Sequence, residues 1–390
     1  EFDRIFAGMT AAILSKRAHR WAVAAFFFMA GLCFASWASR IPDIKEHLQL
    51  NDAALGAVLF ALPVGLMSSL PLSGWSVAKW GSKRMMTIAA VGYPLTLLAL
   101  GAVSHTWELV AVLYVFGLFG NLFNISINTQ AVGVESLYGR SVMASFHGIW
   151  SLAGFTGAAI GTFLVSKNIS PLFHFILICG TTLLLMFIAQ GYALPKDAGK
   201  TGKGQPIFVK PDATLLKLGL IGFGSMVCEG TMFDWSGVYF QKIVAAPQEL
   251  TTLGYAAFMS TMAGGRFFGD WLTARLGIQR MLQCSGVVIT AGLLTAIIFP
   301  FIVPATIGFL LVGIGVSSVV PLVYSAAGRS KTMSPGIALA AVSTVGFFGF
   351  LFGPPMIGFI AQASSLRWSF ALISCFGLAT AILASLTRWD

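Results

Sequence analysis

Long apolar stretches separated by short polar ones dominate the chain. From Trp21 onward, each stretch is close to the roughly 20 residues that an α-helix needs to cross the hydrocarbon core of a bilayer. The short alternating strands typical of a membrane β-barrel are not the pattern here. The apolar stretches predict twelve transmembrane helices, at residues 20–41, 51–78, 85–104, 107–133, 141–166, 171–193, 214–243, 250–273, 280–302, 304–327, 335–362 and 366–387.

One hydrophilic connection is much longer than the others. It reads PKDAGKTGKGQPIFVKPD over residues 195–212 and is rich in Gly, Lys and Pro. It divides the chain into six spans before it and six after it. The sequence therefore predicts an N-terminal bundle at 20–193, a cytoplasmic linker at 194–213 and a C-terminal bundle at 214–390.

The start of the chain is interpreted separately. Residues 1–19 form an N-terminal segment, in which residues 1–8 precede Met9. We interpret these eight residues as added sequence and Met9 as the natural start. The first apolar run continues without a small-residue cleavage site, so no cleaved signal peptide is expected.

Composition agrees with a membrane protein. Hydrophobic residues make up 57% of the chain and charged residues 10%, and the mean hydropathy is +0.84. A soluble domain carries about 25% charged residues. The chain therefore belongs among polytopic membrane proteins.

The net charge of +10 is explained by topology. Alternate loops carry 17 Lys and Arg residues on one side and five on the other (Arg40, Lys45, Lys167, Lys242 and Arg367). By the positive-inside rule, both termini are expected in the cytoplasm and the protein in the inner membrane. No nucleic-acid partner is needed to explain the charge, and oligomeric state is not readable, with a monomer favoured.

Residues for cofactor or metal chemistry are not indicated. The five cysteines all fall within predicted spans at no metal-ligand spacing, which favours small apolar packing residues. No P-loop or nucleophile constellation is present, so neither an enzyme nor an ATP-driven pump is expected. The proton is the expected coupling ion.

The two halves repeat a basic turn. GWSVAKWGSKR at 74–84 follows the second span, and DWLTARLGIQR at 270–280 follows the eighth. Lys79 and Gly81 therefore recur as Arg275 and Gly277, 196 residues later. Internal repeats of this kind are typical of secondary transporters, whose solute site lies between the repeats near mid-membrane.

The first turn resembles the signature loop of the major facilitator superfamily. Gly74, Lys79, Gly81, Lys83 and Arg84 match that loop, whereas Ala78 and Ala274 replace its acid in the two halves. The resemblance implies twelve helices in two six-helix bundles, with the loop latching the cytoplasmic side. It implies gating roles for Gly74, Lys79, Gly81, Arg84 and Arg275, and we expect Arg266 and Asp270, one helical turn apart, to form a substitute pair.

Several further stretches narrow the resemblance. ASWASRIPDIK, NISINTQAVGVES, SFHGIWSLAG and EGTMFDWSGVY, together with VVPLVYSAAGR and GFLFGPPMIGF, are similar to the YbjJ-like bacterial inner-membrane facilitators. This resemblance covers nearly the whole chain. It implies transport without specifying a substrate.

The fourth span carries a stripe of polar residues. Asn121, Asn124, Asn128 and Glu135 follow one another at intervals that keep them on one helical face. This stripe is expected either to line the solute path or to hydrogen-bond neighbouring helices. Glu135 lies near the cytoplasmic end, where gating, loop pairing or a part in proton coupling is expected.

Aromatic and imidazole side chains complete the predicted solute site. His147 and Trp150 open the fifth span, and an imidazole can exchange a proton near neutral pH or remain a packing group. Trp37, Trp150 and Trp235 can stack on a sugar ring, and Tyr324 at the end of the tenth span is a further ligand candidate. Arg40 is expected either to extend to the interface or to pair with Asp43.

The seventh span contains two acids, Glu229 and Asp234, in the sequence CEGTMFDWSG. A charge at the bilayer centre costs at least about 2.5 kcal/mol, so such residues are usually functional. Five residues apart, they face one groove only if the helix is interrupted, and Gly224, Gly230 and Gly237 predict such an interruption. Which acid faces the solute path stays open, as does permanent pairing with Arg266.

These patterns predict a secondary active transporter that works by alternating access. Coupling to protons is expected at Asp234, Glu229, Glu135 or His147, and the solute is expected to be small, polar and sugar-like. An uncoupled facilitator and a proton-driven exporter of amphipathic compounds are the alternatives, and a non-transporting receptor or scaffold is a third.

Overall fold

The regular structure is helical throughout the described part of the chain. The computed structural model describes residues 2–138, 142–196, 212–327, 329–330 and 335–387, and side chains from residue 16 onward except those of 144, 270, 335–337 and 340. The helices are α1 Phe2–Ala38, α2 Ile41–His47, α3 Asp52–Leu59, α4 Ala61–Trp80, α5 Ser82–Leu100, α6 Thr106–Tyr138, α7 Met143–Ser166, α8 Pro171–Ala189, α9 Ala213–Lys242, α10 Leu253–Leu276, α11 Ile278–Ile298, α12 Ile302–Val316, α13 Val319–Ala327, α14 Pro335–Ala363 and α15 Leu366–Leu386. Short 3-10 turns lie at Gln190–Tyr192 and Gln248–Leu250.

Each of the twelve predicted spans coincides with one long helix or with a pair of shorter ones. Among the described residues, ten segments are long and apolar enough to cross a membrane. The helices α5 and α10 fall outside these ten, and α10 carries the charged residues Arg266, Asp270 and Arg275. The all-α membrane architecture predicted from the pattern is confirmed.

The predicted interruption of the seventh span is wrong. The helix α9 runs continuously through Gly224, Gly230 and Gly237. Two of these glycines serve close packing instead: a Cβ on Gly230 would lie 3.0 Å from the Phe350 ring, and one on Gly237 would lie 2.7 Å from Pro42. Small residues let membrane helices approach closely without bending them.

The eleventh span is continuous as well, although proline usually interrupts a helix: α14 continues through Pro354 and Pro355. This part of α14 packs against α3, where a Cβ on Gly56 would lie 2.7 Å from the Pro354 carbonyl oxygen. Neighbouring helices commonly hold a proline-containing membrane helix in place. Tertiary packing therefore overrides the local signal.

Helix breaks occur at two places that the apolar pattern does not show. The second span divides at Phe60 into α3 and α4, and the tenth divides at Ser317 and Ser318 into α12 and α13. The Ser317 hydroxyl donates to the Ile314 carbonyl at 2.7 Å. A serine that bonds its own helix in this way competes with the helical ladder and favours a bend.

The described residues fall into two compact units. The first unit comprises 1–37, 64–157 and 171–201, and the second comprises 38–63, 158–170 and 202–390, apart from the residues not described. Two stretches from the first half of the sequence, 38–63 and 158–170, thus belong to the second unit. The linker proposed at 194–213 lies mostly outside the described residues, and this division stays a prediction.

Aromatic stacking supports the first unit. Phe27 in α1 stacks on Phe146 in α7 with centroids 5.4 Å apart, and Tyr93 in α5 stacks on Phe116 in α6 at 4.2 Å. Such pairs contribute about 0.5–1.5 kcal/mol beyond the area that they bury. The neighbouring helices of this unit are therefore held by specific contacts as well as by apolar burial.

In the second unit, α9 is the central element. It packs against α2, α10, α13, α14 and α15, and α14 also packs against α3. Asp212 caps α9, its carboxylate accepting from the Leu215 amide at 2.8 Å. Nearly all side chains of α9 between Gly224 and Phe240 are buried, so its polar residues lie inside protein rather than against lipid.

The two repeated turns share one backbone conformation. Gly81 has φ 84° and ψ 148°, and Gly277 has φ 78° and ψ 160°. Each glycine lies between two helices, and this region of φ and ψ is open essentially to glycine alone. The repeat inferred from the sequence therefore has a structural basis at these two positions.

We expect Gly277→Ala to lower the thermal midpoint of the purified protein, since the strained backbone costs about 1–3 kcal/mol. Gly264→Ala in α10 is the matched control. A Cβ meets open space at both positions, but only Gly277 has a positive φ, and alanine is favoured over glycine inside a helix by about 1 kcal/mol. Equal shifts in a detergent melting assay would contradict the conformational explanation.

Candidate functional site

The two acids of α9 have different surroundings. Because the helix is continuous, a separation of five residues turns their side chains about 140° apart. Glu229 is only 6% exposed, and its Oε1 lies 3.4 Å from Nη2 of Arg266 in α10. Asp234 is partly exposed and has no hydrogen bond or ion pair with another described residue. One acid is thus compensated and the other is not.

The face of α9 that carries Asp234 meets a segment from the first half of the sequence. Gly230, Gly237 and Gln241 share this face by their spacing. Gly237 lies against Pro42 of α2, and Gln241 donates to a Glu46 carboxylate oxygen of α2 at 3.2 Å. Asp234 is therefore on the side of α9 where residues of the two sequence halves meet within the second unit.

Several buried polar atoms near the acids lack partners among the described residues. They are the Ser225, Ser236 and Tyr255 hydroxyls and Nε1 of Trp235; we call these four residues with Glu229 and Asp234 the α9 polar cluster. Tyr255 is 1% exposed and lies within electrostatic range of Asp234. Buried polar groups are normally hydrogen-bonded, so this concentration favours a place where water or a polar solute binds.

Tyr324, at the end of the second unit's α13, borders the same cluster. It is partly buried, interacts electrostatically with Glu229 and lies within reach of the Ser343 hydroxyl in α14. Its predicted role as a solute ligand stays a prediction.

The asparagines of α6 divide between two environments. Asn121 is 2% exposed, and its amide donates to the Ser69 and Ser73 hydroxyls of α4 at 2.9 and 3.2 Å. This is the interhelical bonding that the sequence left as one alternative. Asn128 donates to Asn124 within the same helix at 2.9 Å, and Asn124 is exposed.

The carboxylate of Glu135 accepts from the Val142 and Met143 amides at 2.8 and 3.0 Å. These two amides lie at the start of α7, where a helix leaves donors unpaired. Glu135 therefore joins the end of α6 to the start of α7 as a capping residue.

The remaining predicted ligands of the first unit are near one another along α1 and α7. His147 is exposed, with its ring edge-on to Phe27 at 5.3 Å. Trp150 lies 6.2 Å from the Phe34 ring. Trp37 is 1% exposed, and its Nε1 has no partner among the described residues.

At the repeated turns, the basic residues stack on tryptophans. Lys79 lies over the Trp75 ring at 4.6 Å, and Arg275 lies over the Trp271 ring at 4.1 Å. The two pairs are 196 residues apart, and the sequence reading missed them although Trp75 and Trp271 stand four residues before the basic residue in both turns. Cation–π contacts of this kind fix the orientation of an otherwise flexible cation.

The other predicted gating residues include exposed residues and a residue in contact with an acid of α9. Gly74 and Arg84 are exposed. The side chain of Asp270 lies outside the described residues, so its proposed pairing with Arg266 stays a prediction. Arg266 itself contacts Glu229, as described above.

A buried ion cluster in the second unit was missed by the sequence reading. Oδ1 of Asp52 in α3 accepts from both Lys45 and Lys242, at 3.1 and 2.8 Å. In the sequence, both lysines stand out only as charges that fit the predicted topology. Nearby, Arg40 pairs with Asp43 at 2.6 Å; the sequence had left this pairing and extension to the interface as alternatives.

Burial acts on the charged groups of this region. It lowers the pKa of Lys45, whose neighbour Lys242 acts in the same direction, while Asp52 opposes the shift. Burial raises the pKa of Asp43, opposed by the Arg40 guanidinium. Without the Asp52 carboxylate, the positive charges of Lys45 and Lys242 would lie side by side with no negative charge between them.

Within the described residues, no group of three or more His, Cys, Asp or Glu side chains is arranged to hold a metal ion. The carboxyl and hydroxyl groups of the α9 polar cluster can exchange protons and form hydrogen bonds.

We expect Glu229→Gln and Arg266→Gln each to lower the thermal midpoint more than the double variant does. Each single change leaves one charge of the pair without its partner in a buried place, and coupled neighbours show interaction energies of about 0.5–3 kcal/mol. Melting curves of all four proteins complete the cycle. Strictly additive shifts would mean that the pair contributes nothing.

We expect Asp52→Asn to lower the thermal midpoint most among the variants of its cluster, by about 3 kcal/mol of stability, since it leaves two lysines without a counter-charge. Lys242→Gln is the matched control, because Lys242 is 41% exposed and an exposed pair contributes less than about 1 kcal/mol. The same melting assay decides; a larger effect of Lys242→Gln would refute this order.

The chain is similar to bacterial membrane proteins over almost its full length. It is 34% identical to an uncharacterized MFS-type transporter of Yersinia pestis, over 92% of this chain and 93% of the relative. It is 31% identical to the membrane protein MosC of Rhizobium meliloti, over 92% and 88%.

Solved structures show the same fold. The nucleoside transporter NupG superposes with a TM-score of 0.73 at 14% identity, covering 95% of this chain and 98% of NupG. A bacterial homologue of the human lysosomal transporter Spinster superposes with a TM-score of 0.75 at 13% identity, covering 96% and 99%. Residues 22–335 match the Major Facilitator Superfamily, and with these relatives the match shows that the chain belongs to the Major Facilitator Superfamily of membrane transporters.

Proposed function

We propose that this protein is a proton-coupled secondary transporter of a small polar organic solute, and that it works by alternating access in the inner membrane with both termini in the cytoplasm. The observation that carries the proposal is the state of Asp234. It is an acid within a membrane helix, and it is the α9 acid without an ion-pair partner among the described residues.

Proton coupling requires a group whose proton affinity changes as its access to water changes. A carboxyl without a counter-charge fits this requirement, since its charged form is stabilised by water alone. Glu229 fits it less well, because Arg266 favours its charged form in any state that keeps the pair together. We therefore assign the coupling proton to Asp234 and a structural role to Glu229.

The solute is proposed to bind beside this proton site. Tyr255, which lies within electrostatic range of Asp234, offers a hydroxyl that is unpartnered among the described residues, and a polar solute can satisfy it. Hydroxyl and carboxyl groups hydrogen-bond hydroxylated compounds, and indole rings stack on sugars. Sugars, polyols and nucleosides are the first classes to test, the last because NupG, a nucleoside transporter, shares the fold.

The transport cycle that we propose needs no cofactor and leaves the solute chemically unchanged. Energy comes from the proton gradient: one pH unit corresponds to about 1.4 kcal/mol per proton, or about tenfold accumulation at one proton per solute.

The test has two stages. A thermal-shift screen of sugars, polyols and nucleosides on the purified protein identifies a stabilising solute. That solute, radiolabelled, is then followed into proteoliposomes with and without an imposed gradient of one pH unit. We expect up to about tenfold accumulation in the wild type with the gradient and none without it.

Asp234→Asn separates coupling from binding. We expect this variant to lose gradient-driven accumulation while keeping exchange of labelled for unlabelled solute, because a carboxamide retains the shape of the side chain but carries no exchangeable acid. Glu249→Gln, in an exposed turn, is the control and should accumulate like the wild type. If flux in the wild type does not depend on the gradient, the protein is an uncoupled facilitator and the proposal is wrong. If Asp234→Asn accumulates solute as the wild type does, Asp234 is not the coupling residue.

A further inference from the structure

An open cavity of about 710 Å³ lies in the first unit, where α4 ends and α5 begins. Its walls come from two parts of the chain: the turn and first helical residues from Trp80 to Ile88, and Pro195 with Lys196 after α8. The α9 polar cluster is on other helices, so this cavity is separate from the proposed proton and solute site.

The lining of the cavity is strongly basic. Lys83, Arg84 and Lys196 all contribute to it, and none of the described lining residues is acidic. None of the three forms an ion pair with another described residue. Lys79, on the same turn, differs because it is stacked on Trp75 and Trp80. Three uncompensated cations around one opening favour an anionic ligand.

A buried glutamine joins the two walls. Gln130 of α6 is 1% exposed, and its amide donates to the Ser82 hydroxyl at 2.7 Å and to the Leu194 carbonyl at 3.0 Å. In return, its carbonyl accepts from the Leu194 amide at 2.8 Å. These three bonds hold the wall at Ser82 beside the wall at Leu194, so the cations are brought together before a ligand arrives, which lowers the cost of binding.

The rim of the cavity is apolar. Trp80 and Ile88 both line it, and each is 45% exposed. Tryptophan is enriched where membrane helices meet the headgroup region. The cavity therefore offers cations for an anionic group and, next to them, exposed apolar side chains.

We propose that this cavity binds the phosphate group of an anionic phospholipid. Lys and Arg make charge-assisted hydrogen bonds to phosphate oxygens, and the rim accommodates the start of the acyl chains. The cavity is on the side that carries most Lys and Arg residues, and cytoplasmic leaflets are the ones rich in anionic lipid.

Native mass spectrometry of the full chain in detergent tests the proposal. Phosphatidylglycerol and phosphatidylcholine with identical acyl chains are added in separate titrations. We expect tighter binding of phosphatidylglycerol, with about a fivefold loss for each of Lys83→Gln, Arg84→Gln and Lys196→Gln. Raising the salt concentration should weaken the same complex.

Arg280→Gln is the matched control. Arg280 occupies the position of Arg84 in the second repeat, 196 residues later, but does not line the cavity. It should leave the lipid preference unchanged, and Arg84→Lys should retain most of it. The thermal midpoint of each variant is first measured without lipid. Only variants whose midpoint equals that of the wild type are compared, which separates loss of binding from loss of folding.

Inorganic phosphate distinguishes the two sources of the same chemistry. Displacement of phosphatidylglycerol by millimolar phosphate in the wild type supports recognition of the phosphate group. Equal binding of the two lipids overturns the proposal, as does an Arg280→Gln effect as large as that of Arg84→Gln. Phosphate binding at the three cations without any lipid preference overturns the lipid assignment.

Discussion

Hydrocarbon offers no hydrogen-bond partner and no screening, so polar groups in a membrane helix must be satisfied by the protein itself. Long continuous helices satisfy the backbone, which is why α9 and α14 stay unbroken at positions where glycine or proline would end a helix in water. Charged side chains meet the same requirement in pairs or small clusters. Glu229 with Arg266, and Asp52 with two lysines, are the compensated cases.

Asp234 stands out against this background because its compensation is not found among the described residues. A charge in a membrane helix without a partner is costly, and a carboxyl can remove that cost by taking up a proton. The position of Asp234 on the α9 face that meets α2 gives this chemistry a place where the two sequence halves come together within one compact unit. The function that we propose follows from this single uncompensated group.

The sequence predicts the helical architecture well because spans near 20 apolar residues leave few alternatives. It predicts breaks poorly. Gly224, Gly230 and Gly237 look like weak points in isolation, yet α9 runs through all three and Gly230 and Gly237 pack against neighbours. The breaks at Phe60 and Ser317 fall instead where the apolar pattern is continuous. Whether a helix breaks depends in part on the helices packed against it, and the sequence of a single span does not identify them.

Site residues are predictable by type rather than by partner. The acids of α9 are conspicuous because charges are rare in such spans, and the sequence already offers Arg266 as a partner, but the structure shows that it pairs with Glu229. The asparagine stripe is visible as a stripe, yet Asn121 bonds Ser69 and Ser73 of another helix. Lys45, Asp52 and Lys242 are too far apart along the chain for their association to be inferred from spacing.

The two lysines that share the Asp52 carboxylate differ in burial. Lys45 comes from the same stretch of chain and is buried, whereas Lys242 reaches in from α9 and is 41% exposed. If α9 moved away, Asp52 and Lys45 would remain as an ion pair with no net charge. Lys242, already partly exposed, would become hydrated. A junction built in this way can be undone and remade with little net electrostatic work.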